Sequence, residues 1–286
     1  MLREDRPRAE QHILTEGPWR THTMGGIGLG ISGASPRVRS LLDGWYAPYG
    51  SADAPDVRVT LTALPTGSLD GPIPITIRSE ACVDGHRYRV RRYDVDGLID
   101  TEAGEASFRH ADTRQAFDTL LRSTLSVLLP RRGAALIHAA ALGRGGRAFL
   151  FPGPSGAGKS TLTRVSGGEP VLTDELAVVG HDGRGFQVYG APFHGDMEIQ
   201  PKSDQMPLAA IVFPDRTLPR GVHELRQAER LARLVGTFIC YTPEDSALTE
   251  RLMDLASALA SEVPALAVSL GPDQSVWDAL PEGFAS

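Results

Sequence analysis

The sequence is poor in thiols, lysine, basic runs and long apolar stretches, and each shortage excludes a class of protein. Cys82 and Cys240 are the only cysteines, 158 positions apart, so neither a disulfide framework nor a metal-site spacing is present. Both are expected to be reduced core residues. The longest apolar stretches, 134–142 and 148–152, fall well short of the ~20 residues that cross a bilayer, so no membrane partner is expected. The 29 Lys and Arg against 35 Asp and Glu give a formal charge of -6 without a basic run. The electrostatic footprint of a nucleic-acid binder is therefore missing, and small-molecule or protein partners are expected. The first residues, MLREDRPRAEQ, are charged and carry no apolar h-region, which fits a cytoplasmic protein. Only two of the 29 basic residues are lysine, Lys159 and Lys202. A lysine kept against such a bias does something that a wide planar guanidinium cannot.

What remains is an ordinary globular mixture, 41% hydrophobic and 22% charged over 286 residues, enough for one large domain or two unequal ones. The expected division is a loosely held terminus at 1–22, a β-rich subdomain at 23–111 and a larger domain at 112–286. Short segments at 57–64, 73–77 and 88–95, parted by Pro and Gly turns, predict antiparallel, half-exposed strands. Asp112 and Gln115 have the spacing of a capping box, and Phe117, Leu120, Leu121, Thr124, Leu125 and Leu128 follow at helical spacing up to Pro130. Apolar runs at 134–142 and 147–151 flank Gly143-Arg-Gly-Gly146 and predict a hairpin. A second hairpin is expected to join 171–179 to 186–189 around Asp182-Gly-Arg-Gly185. Further on, 209–213 reads as a buried strand and 224–235 as a helix. A helix is expected to start at Thr242-Pro243-Glu244-Asp245, with Pro at its first position, and a last strand at 265–270.

The chemistry concentrates at Gly153-Pro154-Ser155-Gly156-Ala157-Gly158-Lys159-Ser160, which satisfies G-x-x-x-x-G-K-[ST] between an apolar strand and a helix-permitting run that begins with Thr161. Glycines let backbone N–H groups turn inward onto phosphate oxygens, Lys159 reaches the β- and γ-phosphates, and the Ser160 hydroxyl is offered to Mg2+. Fifteen residues after Lys159 stand Asp174 and Glu175 at the end of a short apolar run. One acid can serve the metal shell while the other accepts a proton from an attacking hydroxyl. His138 lies on the strand expected to pair with the one feeding the loop, and reads as a phosphate or acid contact or as a core residue. His194 and Asp196 fall in the turn-rich Gly190-Ala-Pro-Phe-His-Gly-Asp196, a substrate-side position.

The order of a histidine strand, a Gly turn, an apolar strand, GPSGAGKS, a short helix and an acidic pair within 136–175 resembles the catalytic domain of the HPr kinase/phosphorylase family, and most closely its shorter relatives. The resemblance implies an α/β fold with a mixed sheet, of the HPr kinase and phosphoenolpyruvate carboxykinase type. It implies a Mg2+- and ATP-dependent kinase acting on a serine-type hydroxyl of a protein, peptide or small molecule. Lys159 and Ser160 would then serve nucleotide and metal, Asp174 and Glu175 would match the family's paired aspartates, and His138 its strand histidine. The family has Asp-Asp where this chain has Asp174-Glu175, and the glycine-rich stretch that accompanies dephosphorylation is not found, so no phosphorylase activity is expected. A nucleotide-binding regulatory module and a simple ATPase stand as alternatives, and a homo-oligomer is left open.

Overall fold

The computed structural model describes residues 19–64, 78–81, 85–154, 156–165, 170–195, 200, 202–271, 273–281 and 284. The expected strand at 73–77, most of the loose terminus, Ser155 and Asp196 lie outside these residues. The first sheet contains β1 (Arg20–Met24), β2 (Ile27–Ser32), β3 (Gly50–Ser51), β4 (Val57–Leu64), β5 (Arg78–Ala81), β6 (Arg87–Arg92), β7 (Val95–Asp100) and β8 (Glu105–Ala111), in the order β3-β1-β2-β4-β8-β7-β6-β5. Alternation in β4 and β6 buries Val57, Val59, Leu61, Tyr88 and Val90 and leaves Arg58, Arg87, Arg89 and Arg91 outside, as a one-sided sheet requires. The expected all-antiparallel pairing is corrected: β4 runs parallel to both β2 and β8. Helix α1 (Pro36–Asp43) lies in the connection that makes the first of these parallel pairings reachable.

Helix α2 (Arg114–Leu128) covers the buried face of this sheet with Phe117, Leu120, Leu121 and Leu125. Its cap is Thr113, whose hydroxyl accepts the Ala116 N–H at 3.1 Å. Asp112, the expected cap, is drawn off by the Ser35 hydroxyl at 2.6 Å, so the start shifts by one residue.

The second sheet contains β9 (Ala134–Arg144), β10 (Arg147–Pro152), β11 (Val171–Thr173), β12 (Leu176–His181), β13 (Phe186–Tyr189), β14 (Gln205–Pro214), β15 (Gly221–Glu224) and β16 (Ala265–Ser269). Both expected hairpins are present, as β9 with β10 and β12 with β13. Strand β14 pairs antiparallel with β13 and parallel with β10, so β10, β9, β12, β13 and β14 close into a five-stranded ring. Strands β9 and β10 are buried along nearly their whole length, on the face turned into the ring as well as on the outer one. Helices α3 (Lys159–Val165), α4 (Gln227–Val235), α5 (Ser246–Glu262) and α6 (Val276–Ala279) complete the chain. Helix α4 starts at Gln227 rather than at the expected Glu224, which instead ends β15 on β16. Helix α5 starts at Ser246, with the Asp245 carboxylate accepting the Leu248 N–H at 3.0 Å, and Pro243 stays in the turn before it.

Strand β9 enters all three apolar clusters: Leu136 packs with the first sheet and α2, Ile137 with α5 and β14, and Leu142 with Phe149, Phe151 and Leu162. The first cluster joins Met24 and Phe117 to Leu176 and Phe193, so the two sheets share one core. Phe117→Ala is therefore expected to cost about 3–5 kcal/mol, read in chemical denaturation as an earlier but still single transition. Two separated transitions in the parent chain would overturn the shared core.

Candidate functional site

The loop 153–158 leaves the end of β10 and enters α3, and its backbone is fixed at both ends. The Gly153 N–H donates to the His138 carbonyl at 3.2 Å, the Ala157 N–H to the Pro154 carbonyl at 3.2 Å and the Leu162 N–H to the Gly158 carbonyl at 2.9 Å. Gly156 and Gly158 have φ of 82° and 104°, a region that side chains rarely adopt. Lys159 folds back over this loop, its ammonium donating to the carbonyls of Gly153 at 2.7 Å and Pro154 at 2.9 Å. Burial pulls the Lys159 pKa below that of an ordinary lysine, while the charges of Glu175 and Asp174 push it back up. The lysine and both acids thus share one electrostatic neighbourhood.

The acids sit between β11 and β12, on the edge of β9 opposite β10. The Ala139 N–H donates to the Glu175 carbonyl at 3.0 Å, and the Thr173 hydroxyl donates to the Phe193 carbonyl at 2.9 Å. The two carboxylates then diverge. Asp174 is sealed, with His194 Nδ1 at 3.0 Å from Oδ1, the Gly195 N–H donating to the same oxygen at 3.0 Å, and the two side chains only 1% exposed. A carboxylate partner assigns the proton to Nδ1 of His194. Glu175 is 30% exposed and is gripped by Arg122, with Nη2 to Oε2 at 2.9 Å and Nη1 to Oε1 at 3.4 Å. His138 faces the same region. Burial first, then the Lys159 charge, pulls its pKa below the ordinary value, and Glu175 acts in the opposite sense.

The fold thus gathers His138, Gly153, Pro154, Gly156, Ala157, Gly158, Lys159, Asp174 and Glu175, with the backbone of Ser160 and Thr161 opening α3. His194 is not presented outward as a substrate-side residue. It backs Asp174, with its ring edge-on to Trp45 at 5.6 Å between centroids, while the Trp45 indole donates to the Pro192 carbonyl at 2.9 Å.

Arg122 is the residue of this site that the sequence motifs leave out. It comes from α2, where Arg114, Asp118 and Arg122 recur every four residues as an ionic line on an otherwise uncharged helix. That line was the available signal. Asp118 accepts the Tyr46 hydroxyl, and burial pushes its carboxyl pKa up while Tyr46, Arg122 and Arg114 pull it down.

Two outcomes test this geometry. His194→Ala removes a buried charge-assisted hydrogen bond and is expected to cost about 2 kcal/mol, with much less added loss in an Asp174→Asn background, as a double-mutant denaturation cycle would show. His138 supplies a pH test. Its folded pKa lies below the ordinary 6.5, so as pH falls through 6.5 the unfolded chain binds the proton first and stability declines. His138→Gln should flatten stability against pH below 6.5, and His22, shifted in the same direction by burial, keeps a residual slope. In comparison with known proteins, the chain matches no family model, and no curated protein matches it.

Proposed function

We propose that the chain is an ATP-dependent kinase that transfers the γ-phosphate to a hydroxyl of a protein, peptide or small molecule. The observation that carries this reading is the convergence, on the two edges of β9, of the loop that holds Lys159 and the paired acids that perturb it. Backbone held in glycine conformations and a buried ammonium suit the β- and γ-phosphates, whose oxygens would replace the carbonyls of Gly153 and Pro154 as partners of Lys159. Glu175 is the more open acid and takes the role of proton acceptor from the attacking hydroxyl, with Arg122 fixing the orientation of its carboxylate.

Among the described residues no three His, Cys, Asp or Glu side chains converge as a metal cage. Mg2+ does not need one, because it keeps waters and substrate phosphates around one or two protein oxygens. Ser160 would supply one of those oxygens, and the Asp174 carboxylate, sealed by His194 and Gly195 in this structure, would have to open towards the loop to supply another; the ion would neutralise phosphate charge. The HPr-kinase-like fold type belongs to this same proposal. One observation favours the second reading, a nucleotide-binding module without transfer: both Glu175 oxygens are already engaged by Arg122.

The deciding experiment follows label from γ-labelled ATP into host-cell extract. Lys159→Ala is expected to weaken nucleotide binding and transfer together. Glu175→Gln should keep binding and lose about 10²–10⁴-fold in transfer. Binding without labelled product would favour the regulatory module, and label released only to water would favour an ATPase. Unchanged turnover in Glu175→Gln would remove the base assignment.

A further inference from the structure

The kinase reading uses the acid side of the phosphate loop and leaves its other side without a role. A cavity of about 380 Å³ opens there, bounded by Gly158 and Leu162, by Arg216, Leu218 and Arg220 from the turn after β14, and by Gln274. Lys159, Asp174 and Glu175 are not among its walls. The cavity and the acids are therefore separate spaces that share the loop as a common border. The volume is that of a small-molecule pocket, and Leu162, Leu218 and Val268 give it apolar faces.

Its polar groups are mostly donors. Among the described residues the one carboxylate on its wall, Asp215, is already engaged by the Thr217 N–H at 2.9 Å, the Thr217 hydroxyl at 2.6 Å and Arg233 at 2.9 Å. Among the described residues, neither Arg216 nor Arg220 has an ion-pair partner. Arg216 lies directly on the loop: a Cβ added to Gly158 would stand 3.1 Å from its Nη2 and 3.4 Å from its Nε. Glycine at that position, with φ of 104°, admits the guanidinium against the backbone that precedes Lys159. Two unneutralised guanidinium groups at one small cavity, in a chain of net charge -6, suit a ligand that brings both negative charge and a flat apolar body.

We propose that this cavity is the binding site for the nucleoside half of a nucleoside 5′-diphosphate or triphosphate, with Arg216 contacting the α- and β-phosphates. The inference rests on the phosphate-loop reading above and adds to it where the base lies and which arginine meets the phosphates nearest the ribose. The placement follows from the loop as border. The transferred γ-phosphate belongs on the side of Lys159 and Glu175, so the chain of phosphates leads back across Gly158 to Arg216, and the base rests between Leu162 and Leu218.

The test measures equilibrium binding of ADP, ATP and inorganic tripolyphosphate to the full chain by calorimetry. Leu218→Trp fills the cavity and is expected to weaken ADP and ATP by about tenfold or more while changing tripolyphosphate by less than about twofold. Arg216→Ala is expected to weaken ADP and ATP by the same factor, about tenfold, because both ligands carry the α- and β-phosphates. Equal weakening of ADP and tripolyphosphate by Leu218→Trp, or unchanged ADP binding in Arg216→Ala, overturns the cavity assignment and leaves the loop reading in place. Failure of the parent chain to bind any of the three ligands removes the loop reading itself. If Leu218→Trp does not fold, as judged by its denaturation transition, Arg216→Ala decides alone.

Discussion

A single peptide group of β9, the one joining His138 to Ala139, sets the geometry of the whole site. The carbonyl of His138 accepts the Gly153 N–H, which fixes where the loop 153–158 begins, and the N–H of Ala139 donates to the Glu175 carbonyl, which fixes the acids. Neighbouring residues of a strand bond to opposite edges, so the loop and the acids are held across the width of one strand. A third bond, from the His138 N–H to the Thr237 carbonyl at 2.7 Å, ties the same point to the segment after α4. These groups are paired as burial demands, and the pairing itself determines that Lys159 and the two acids come within each other's field.

The first sheet contributes to the site through α2. One face of that helix is packed into the core of the sheet with Phe117, Leu120 and Leu121, and from the same helix Arg122 extends to Glu175. Trp45 adds a second link, through the Pro192 carbonyl and the His194 ring. The Arg122–Glu175 pair is partly exposed, and pairs of that kind contribute little to stability. Its effect is on orientation: a forked guanidinium restricts the long, flexible glutamate side chain. The two acids are thereby given different surroundings, one sealed by an imidazole and a backbone N–H, the other open and held by an arginine.

Much of this could be read in the sequence where the signal is local. The hairpin of β9 and β10, the loop after it and the acids after β11 follow from apolar runs parted by glycine, and they stand where the pattern puts them. Errors arise where a distant partner decides. Asp112 has a capping pattern, yet Ser35, 77 positions away, takes its carboxylate and Thr113 caps instead. The parallel pairings of β4 with β2 and β8, and of β10 with β14, leave no mark in the alternation of any one strand. Asp174 and Glu175 are adjacent in the chain, and only the approach of 193–195 from one side and of α2 from the other makes them unlike. Arg122 carried a faint signal, a four-residue ionic recurrence, which alone does not separate a solvated stripe from a residue aimed into a site.

The five-stranded ring has a mechanical consequence. A strand in an open sheet can slide by two residues and keep its faces, whereas in a ring any slide must be matched by every other member, as in a hoop whose staves are all fastened to their neighbours. Strand β10, held by β9 on one edge and β14 on the other, cannot deliver the loop 153–158 at an altered height. Adjustment to a ligand must therefore occur in the turns at the rim, between β10 and α3 and after β14, while the staves keep their register.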